Sequence, residues 1–155
     1  MSNYQATIDW RRGGAAFTDL RYSRAHRWLF DGGIEVAASS SPQVVPVPMS
    51  LAAAVDTEEA FVASLASCHM LWFLSIAAAR GFCVDSYHDH ALGHMSKDAA
   101  GKTAITLVTL RPAAKFSEGK LPDAALLQQM HVEAHHSCFI ANSVKTEIRC
   151  EPIFD

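Results

Sequence analysis

Four cysteines, Cys68, Cys83, Cys138 and Cys150, are the residues best suited to nucleophilic or redox chemistry. They lie far apart and form no Cys-x-x-Cys pair, so no sequence-adjacent dithiol or zinc knuckle is written into the chain. Cys68 lies within the longest apolar run, Asp56 to Gly81, and Cys138 ends the segment His131-Val132-Glu133-Ala134-His135-His136-Ser137-Cys138. A cysteine reacts as its thiolate. Cys68 is too deep in its run to feel the positive end of a helix, an effect that fades within one turn. A reactive Cys68 therefore needs a cation beside it, and an arginine suits that role best. Two cysteines on two helices that pack together would form a thiol pair. One sulfur could become a sulfenic acid and the other could close a disulfide. The competing reading makes them small buried apolar residues.

Histidine is the other candidate chemistry. His131 and His135 are four apart and share a helix face, which resembles half a zinc site. The glutamate that follows the first histidine of a zincin helix is missing, and so are cysteine pairs. No metal and no cofactor is assigned on this ground; a solvated or hydrogen-bonded histidine face is the simpler reading. Adjacent residues on a helix point about 100° apart, so Cys68 and His69 do not make a nucleophile–base pair.

The elements that must position these groups can be read from pattern. Asp56, with Glu59 three residues on, is a carboxylate-led capping box, and Gly81 after Arg80 suits a left-handed C-cap. Between them lies a helix of about two dozen residues, apolar on nearly every side. No formal charge falls between Ala60 and Ala79, just long enough to cross a bilayer. Ser64, Ser67, Cys68, His69 and Ser75 within the run argue for a protein core, wrapped by sheet and completed by a second subunit.

Before this helix, residues 4–10 read as a strand and Arg11-Arg12-Gly13-Gly14 as a turn. Residues 17–30 read as a second strand, with Tyr22, Arg24, His26, Trp28 and Phe30 on one face. Asp31-Gly32-Gly33 turns the chain into Ile34-Glu35-Val36. Residues 38–55, with three prolines, form a linker. After the helix, residues 82–95 and 103–110 read as a hairpin, the second strand stopped by Pro112. Pro122 starts a helix to about Ser137 with an apolar stripe of Leu126, Leu127, Met130 and Ala134. Phe139–Ser143 reads as a short turn, and 144–153 as a last strand. The result is a two-layer α+β fold in one domain, 1–155, with N-terminal strands over 1–37, a linker over 38–55 and the remainder over 56–155.

Composition fits that class. Of 155 residues, 50% are hydrophobic and 19% charged, enough for a packed core. A net charge of −3 argues against non-specific nucleic-acid binding. The first residues lack a basic stretch followed by an apolar one, so the expected location is the cytoplasm, where structural disulfides are rare.

Glu58-Glu59-Ala60-Phe61 followed by Ser67-Cys68 resembles the opening of the reactive-cysteine helix in the OsmC/Ohr family of thiol-dependent hydroperoxide reductases. Ala134-His135-His136-Ser137-Cys138, with Asn142 and Ser143, resembles that family's second-cysteine segment. Tyr22 to Trp28 and Phe30-Asp31-Gly32-Gly33 look like its OsmC-like branch. The element order matches over nearly the whole chain. The resemblance implies antiparallel sheets around a long central helix, and an intertwined homodimer with active sites shared between subunits. It implies Cys68 as the peroxidatic thiolate, Cys138 as the resolving thiol, Glu58 as the acidic site residue and an arginine, for which Arg24 is preferred to Arg27. Phe61, Leu65, Met70 and Trp72 would wall a site for organic hydroperoxides, with an external dithiol as reductant and neither nucleic acid nor membrane as partner. Two departures stand out: Phe139 replaces a common proline after the second cysteine, and His69 stands where an apolar residue is common.

Overall fold

The structure, a computed structural model, describes residues 1–154. Two compact units divide at the first turn of the long helix, Met1–Ala60 and Phe61–Asp155. In the first, strands β1 (Ala6–Asp9), β2 (His26–Phe30), β3 (Glu35–Ser39) and β4 (Val55–Asp56) form one sheet in that order. β1–β2 and β2–β3 are antiparallel; β3–β4 is parallel. The β2–β3 turn closes through Phe30 N–H to Ile34 O at 3.1 Å, and Gly33 supplies the positive φ of 84° it requires.

The expected strand over 17–30 is shorter than the alternation suggested, because only His26–Phe30 joins the ladder. Upstream, polar side chains capture backbone donors that a strand would use. Arg21 N–H donates to Asp19 Oδ1 at 3.1 Å, and Ala25 N–H to Ser23 Oγ at 3.2 Å. Tyr22 stacks on Phe17, ring centroids 4.6 Å apart, rather than pointing from a strand face. The proline-rich stretch is tied into this unit: Leu51 N–H donates to Ser39 Oγ at 2.9 Å and Arg24 N–H to Met49 O at 2.7 Å.

Helix α1 runs unbroken from Thr57 to Ala79. Its capping box forms as its sequence implies, with Glu59 N–H on Asp56 Oδ1 at 2.7 Å and Asp56 N–H on Glu59 Oε2 at 3.3 Å. At the other end Gly81 has φ 76°, and Phe82 N–H returns to Ala77 O at 3.0 Å, a Schellman closure. Leu65, His69, Phe73 and Ala77, each four residues apart, are the buried stripe. The opposite side stays open in the single chain, where Leu71 is 62% exposed. On length and composition α1 could cross a membrane. A core helix passes the same test, and Leu65 and Phe73 each anchor a hydrophobic cluster.

The second unit carries two sheets. The stretch 82–95 is not one strand: it breaks at His90-Ala91 into β5 (Val84–Asp89) and β6 (Leu92–Lys97). β6 pairs antiparallel with β7 (Thr103–Leu110), which pairs parallel with β9 (Glu147–Cys150). β5 pairs instead with β8 (Pro112–Phe116). β7 stops at Leu110, before Pro112, as expected, and Pro112 itself opens the next strand, a position proline tolerates. Helix α2 (Ala124–Ser137) starts from Asp123, whose Oδ1 accepts Leu126 N–H at 2.8 Å; Pro122 precedes the cap and is not the first helical residue. A 3-10 turn, Ala141–Ser143, leads toward β9.

Gly93 on β6 lies against α1. A Cβ there would meet Val62 Cγ2 at 2.6 Å, and a β-branched side chain cannot swing aside. Gly93→Ala should cost roughly 1–3 kcal/mol by overpacking. Gly32→Ala, with nothing within 4 Å of the added carbon, is the control. Urea midpoints of the two variants decide: equal midpoints would refute the close-approach account.

Candidate active site

Cys68 and Cys138 converge in the second unit, as two sulfurs that interact directly. Cys138 ends α2 and is 1% exposed; Cys68, on α1, is half-buried. Both are free thiols. Burial pushes the Cys138 thiol up to about 11, and a hydrogen bond with Cys68 adds to the rise. Backbone N–H groups of Ala141 and Ile140 oppose it; Ala141 N lies 3.4 Å from the sulfur. Of the pair, Cys138 is thus the sulfur that stays protonated at neutral pH, and Cys68 is the one with a path to solvent. Brief alkylation should leave Cys138 unmodified at pH 7–9 and reach it only as the pH nears about 11. Peptide mapping across that range tests this, and modification complete at pH 8 would contradict it.

The apolar wall differs from the sequence expectation. Phe61, Leu65 and Trp72 lie 7 and 3 residues before and 4 after Cys68, spacings that share its side of the helix. Leu65 is 1% exposed and belongs to the core with Val108 and Leu110. Met70, two residues on, is rotated about 200° from Cys68 and does not share its face. Phe139 was not anticipated as a wall. It follows Cys138 directly and meets Trp72 edge-on at 5.3 Å. Its 67% exposure leaves it at the surface beside the sulfurs.

The charged residues are otherwise engaged. The Arg24 guanidinium donates through Nη1 to Leu20 O at 2.7 Å and to Tyr22 O, and lies 3.8 Å over the Tyr22 ring. Arg27 joins Asp9 at 2.7 Å and Glu35 at 3.0 Å on an exposed face. Glu58 accepts from Thr57 Oγ1 at 2.9 Å. With α1 unbroken, ten residues set Glu58 about 15 Å from Cys68 along the axis, so no direct hydrogen bond joins them. In the second unit Arg80 pairs with Glu133 at 2.6 Å, Arg111 with Glu151 at 3.5 Å and Arg149 with Glu147 at 2.7 Å.

The histidines rearrange most. His131 turns into the core and leaves His135 and His136 behind. Its Nδ1 lies 3.0 Å from His69 Nε2, the rings within 3° of parallel. Phe73 also stacks on His131, ring centroids 4.2 Å apart. Cys150 Sγ is 3.6 Å from the same His69 Nε2. Burial holds His69 down to about 4 and His131 down to about 3, and raises Cys150 to about 12. The His69 position on the Leu65–Phe73 stripe signalled burial; nothing in sequence spacing signalled its two partners.

Comparison with known proteins bears on the whole chain. A family model described as OsmC-like protein matches residues 50–152. The structure of an OsmC-like protein of unknown function from Vibrio cholerae is 55% identical, with a TM-score of 0.97, covering 99% of this chain and 100% of that one. An organic hydroperoxide resistance protein OsmC from Legionella pneumophila shares the fold at 13% identity and TM-score 0.71, over 99% and 98% of the two chains. The organic hydroperoxide resistance protein OhrB of Bacillus subtilis does so at 19% and 0.69, over 98% of each. No curated protein matches the sequence.

Proposed function

This chain belongs to the OsmC-like protein family, and from that premise we propose that it is a cysteine-based peroxidase reducing organic hydroperoxides. The observation that carries the reading is the contact between an accessible Cys68 and a buried, protonated Cys138. The Cys68 thiolate attacks the terminal peroxide oxygen. The O–O bond breaks, the alkoxide leaves and takes a proton to become the alcohol, and Cys68 becomes a sulfenic acid. The Cys138 thiol then attacks that sulfur, water leaves, and a disulfide forms. An external dithiol exchanges with the disulfide and restores both thiols.

A cation has to favour the thiolate. The second unit's three arginines are each paired with a carboxylate, and Arg24 remains our choice for the arginine that the family resemblance implies. Among the described residues its Nη1 donates to the carbonyls of Leu20 and Tyr22, and its other N–H groups are the donors that would serve a sulfur or peroxide. Glu58 would orient that guanidinium. A homodimer with shared sites fits the open side of α1 at Leu71. Phe61, Trp72 and Phe139 favour an alkyl substituent over hydrogen peroxide. A reducing cytoplasm would keep the resting pair as thiols. The rival is a non-enzymatic binding protein, in which Cys138 is a packing residue; its complete burial favours that view.

Mass spectrometry after one equivalent of tert-butyl hydroperoxide separates them. The expected product has lost two hydrogens, in a Cys68–Cys138 cross-linked peptide. Unoxidised protein, or oxidation confined to Cys83 or Cys150, overturns the peroxidase.

A further inference from the structure

We propose that His69, His131 and Cys150 form a buried binding site for a borderline divalent cation, with zinc as the favoured ion. Three elements of the second unit bring them together: α1 supplies His69, α2 supplies His131 and β9 supplies Cys150. One ligand atom from each lies within 4.8 Å of the other two. Both histidines are 1% exposed.

The distances match a tetrahedral ion. Zinc–nitrogen bonds of about 2.05 Å and a zinc–sulfur bond of about 2.3 Å place nitrogen about 3.3 Å from nitrogen and about 3.6 Å from sulfur. Nδ1 of His131 and Nε2 of His69 are 3.0 Å apart, and Cys150 Sγ is 3.6 Å from Nε2. A slight parting of the rings would admit the ion.

Without a cation, the hydrogen bonding does not close. His69 Nε2 faces two groups and can donate one proton or offer one lone pair. An ion on Nε2 would fix the ring proton on His69 Nδ1, which is buried with no partner among the described residues. An ion at the centre takes one lone pair from each of the three facing atoms and satisfies all of them. A second observation concerns charge. Asp89 Oδ2 is shut away from solvent with no partner among the described residues, and Asp89 acts electrostatically on Cys150. A divalent ion bound to one thiolate carries one net positive charge, which that carboxylate would balance. Two imidazoles and a thiolate are the donor set zinc prefers, and a fourth position remains for water. Such an ion would clamp the two helices to the parallel strand and leave the Cys68–Cys138 pair free. The inference is independent of the peroxidase reading.

The test uses the full chain, stripped of metal and titrated with zinc alone, then with cobalt(II) as a spectroscopic probe. One zinc per chain is expected. X-ray absorption should show two nitrogens at about 2.0–2.1 Å and one sulfur at about 2.3 Å. Cobalt should give tetrahedral visible bands with one thiolate charge-transfer band. Cys150→Ser and His131→Gln should each weaken zinc at least about a hundredfold. The double variant Cys68→Ser/Cys138→Ser should bind like the unmodified protein. Failure to bind zinc stoichiometrically, a shell with two sulfurs or none, or unchanged affinity in Cys150→Ser overturns the site. Should the variants not fold, the absorption spectrum of the unmodified protein decides alone.

Discussion

Cys68→Ser should lower kcat/KM for tert-butyl hydroperoxide by roughly a thousandfold or more, about 4 kcal/mol at the transition state. A serine hydroxyl fills the same space but is not ionised at neutral pH, and its oxygen is a poor nucleophile toward peroxide oxygen. The substitution therefore removes the attacking electron pair and leaves the packing of α1 intact. Cys138→Ser should behave differently. Its first turnover should proceed near the normal rate, because Cys138 is not the attacking sulfur. The enzyme should then stop with a sulfenic acid on Cys68 that a carbon nucleophile can trap. Stopped-flow peroxide consumption separates the two variants: a lost burst in one, a single burst in the other. Cys68→Ser turning over at the unmodified rate would remove the peroxidase assignment. A lost burst in Cys138→Ser with a single burst kept in Cys68→Ser would exchange the roles of the sulfurs.

The parts of this site that the sequence discloses are those governed by local rules. The capping box at Asp56 and Glu59 and the Gly81 terminus are set by neighbours within a few residues, and they bound the helix that carries Cys68. The Met130–Ala134 stripe on α2 follows from a 3.6-residue period alone. Alternation alone does not establish a continuous strand. His90-Ala91 interrupts 82–95 without any glycine or proline to announce it, and β5 finds β8, a partner the apparent hairpin hid. Strand partners are long-range choices, and period-two patterning carries no information on them. The histidines illustrate the same limit. His131 and His135 share a helix face by spacing, yet His131 belongs with a residue 62 positions earlier. Only packing of α1 on α2 decides that. Arg24 is preferred to Arg27 for a strand face read as buried, yet the strand begins only at His26 and local carbonyls take the guanidinium; Met70 is apolar but helix rotation turns it from Cys68.

Phe73→Ala should be the most destabilising single substitution in the second unit, by about 3–5 kcal/mol. Phe73 is 0% exposed and touches every wall of its core. It stacks on His131 at 4.2 Å, tilts against Tyr87 at 5.6 Å and meets Phe116 edge-on at 6.5 Å. Truncation loses the transfer free energy of a whole ring and opens a cavity that helices and strands cannot close together, since each is held by its own hydrogen bonds. A domain with about 5 kcal/mol in hand would be brought close to unfolding, whereas one with about 15 kcal/mol would keep most of it. Leu71, two residues earlier and 62% exposed, is the comparison. In an isolated chain Leu71→Ala should change stability by less than about 0.5 kcal/mol. If Leu71 is covered by a second copy, its effect should grow at high protein concentration and fade on dilution, whereas that of Phe73 should not change. Urea denaturation at two concentrations a hundredfold apart measures both. A Phe73→Ala cost below about 1 kcal/mol would mean that the α1–α2 core is looser than its ring contacts imply, and that the His69–His131 pairing does not depend on the ring stacked against it.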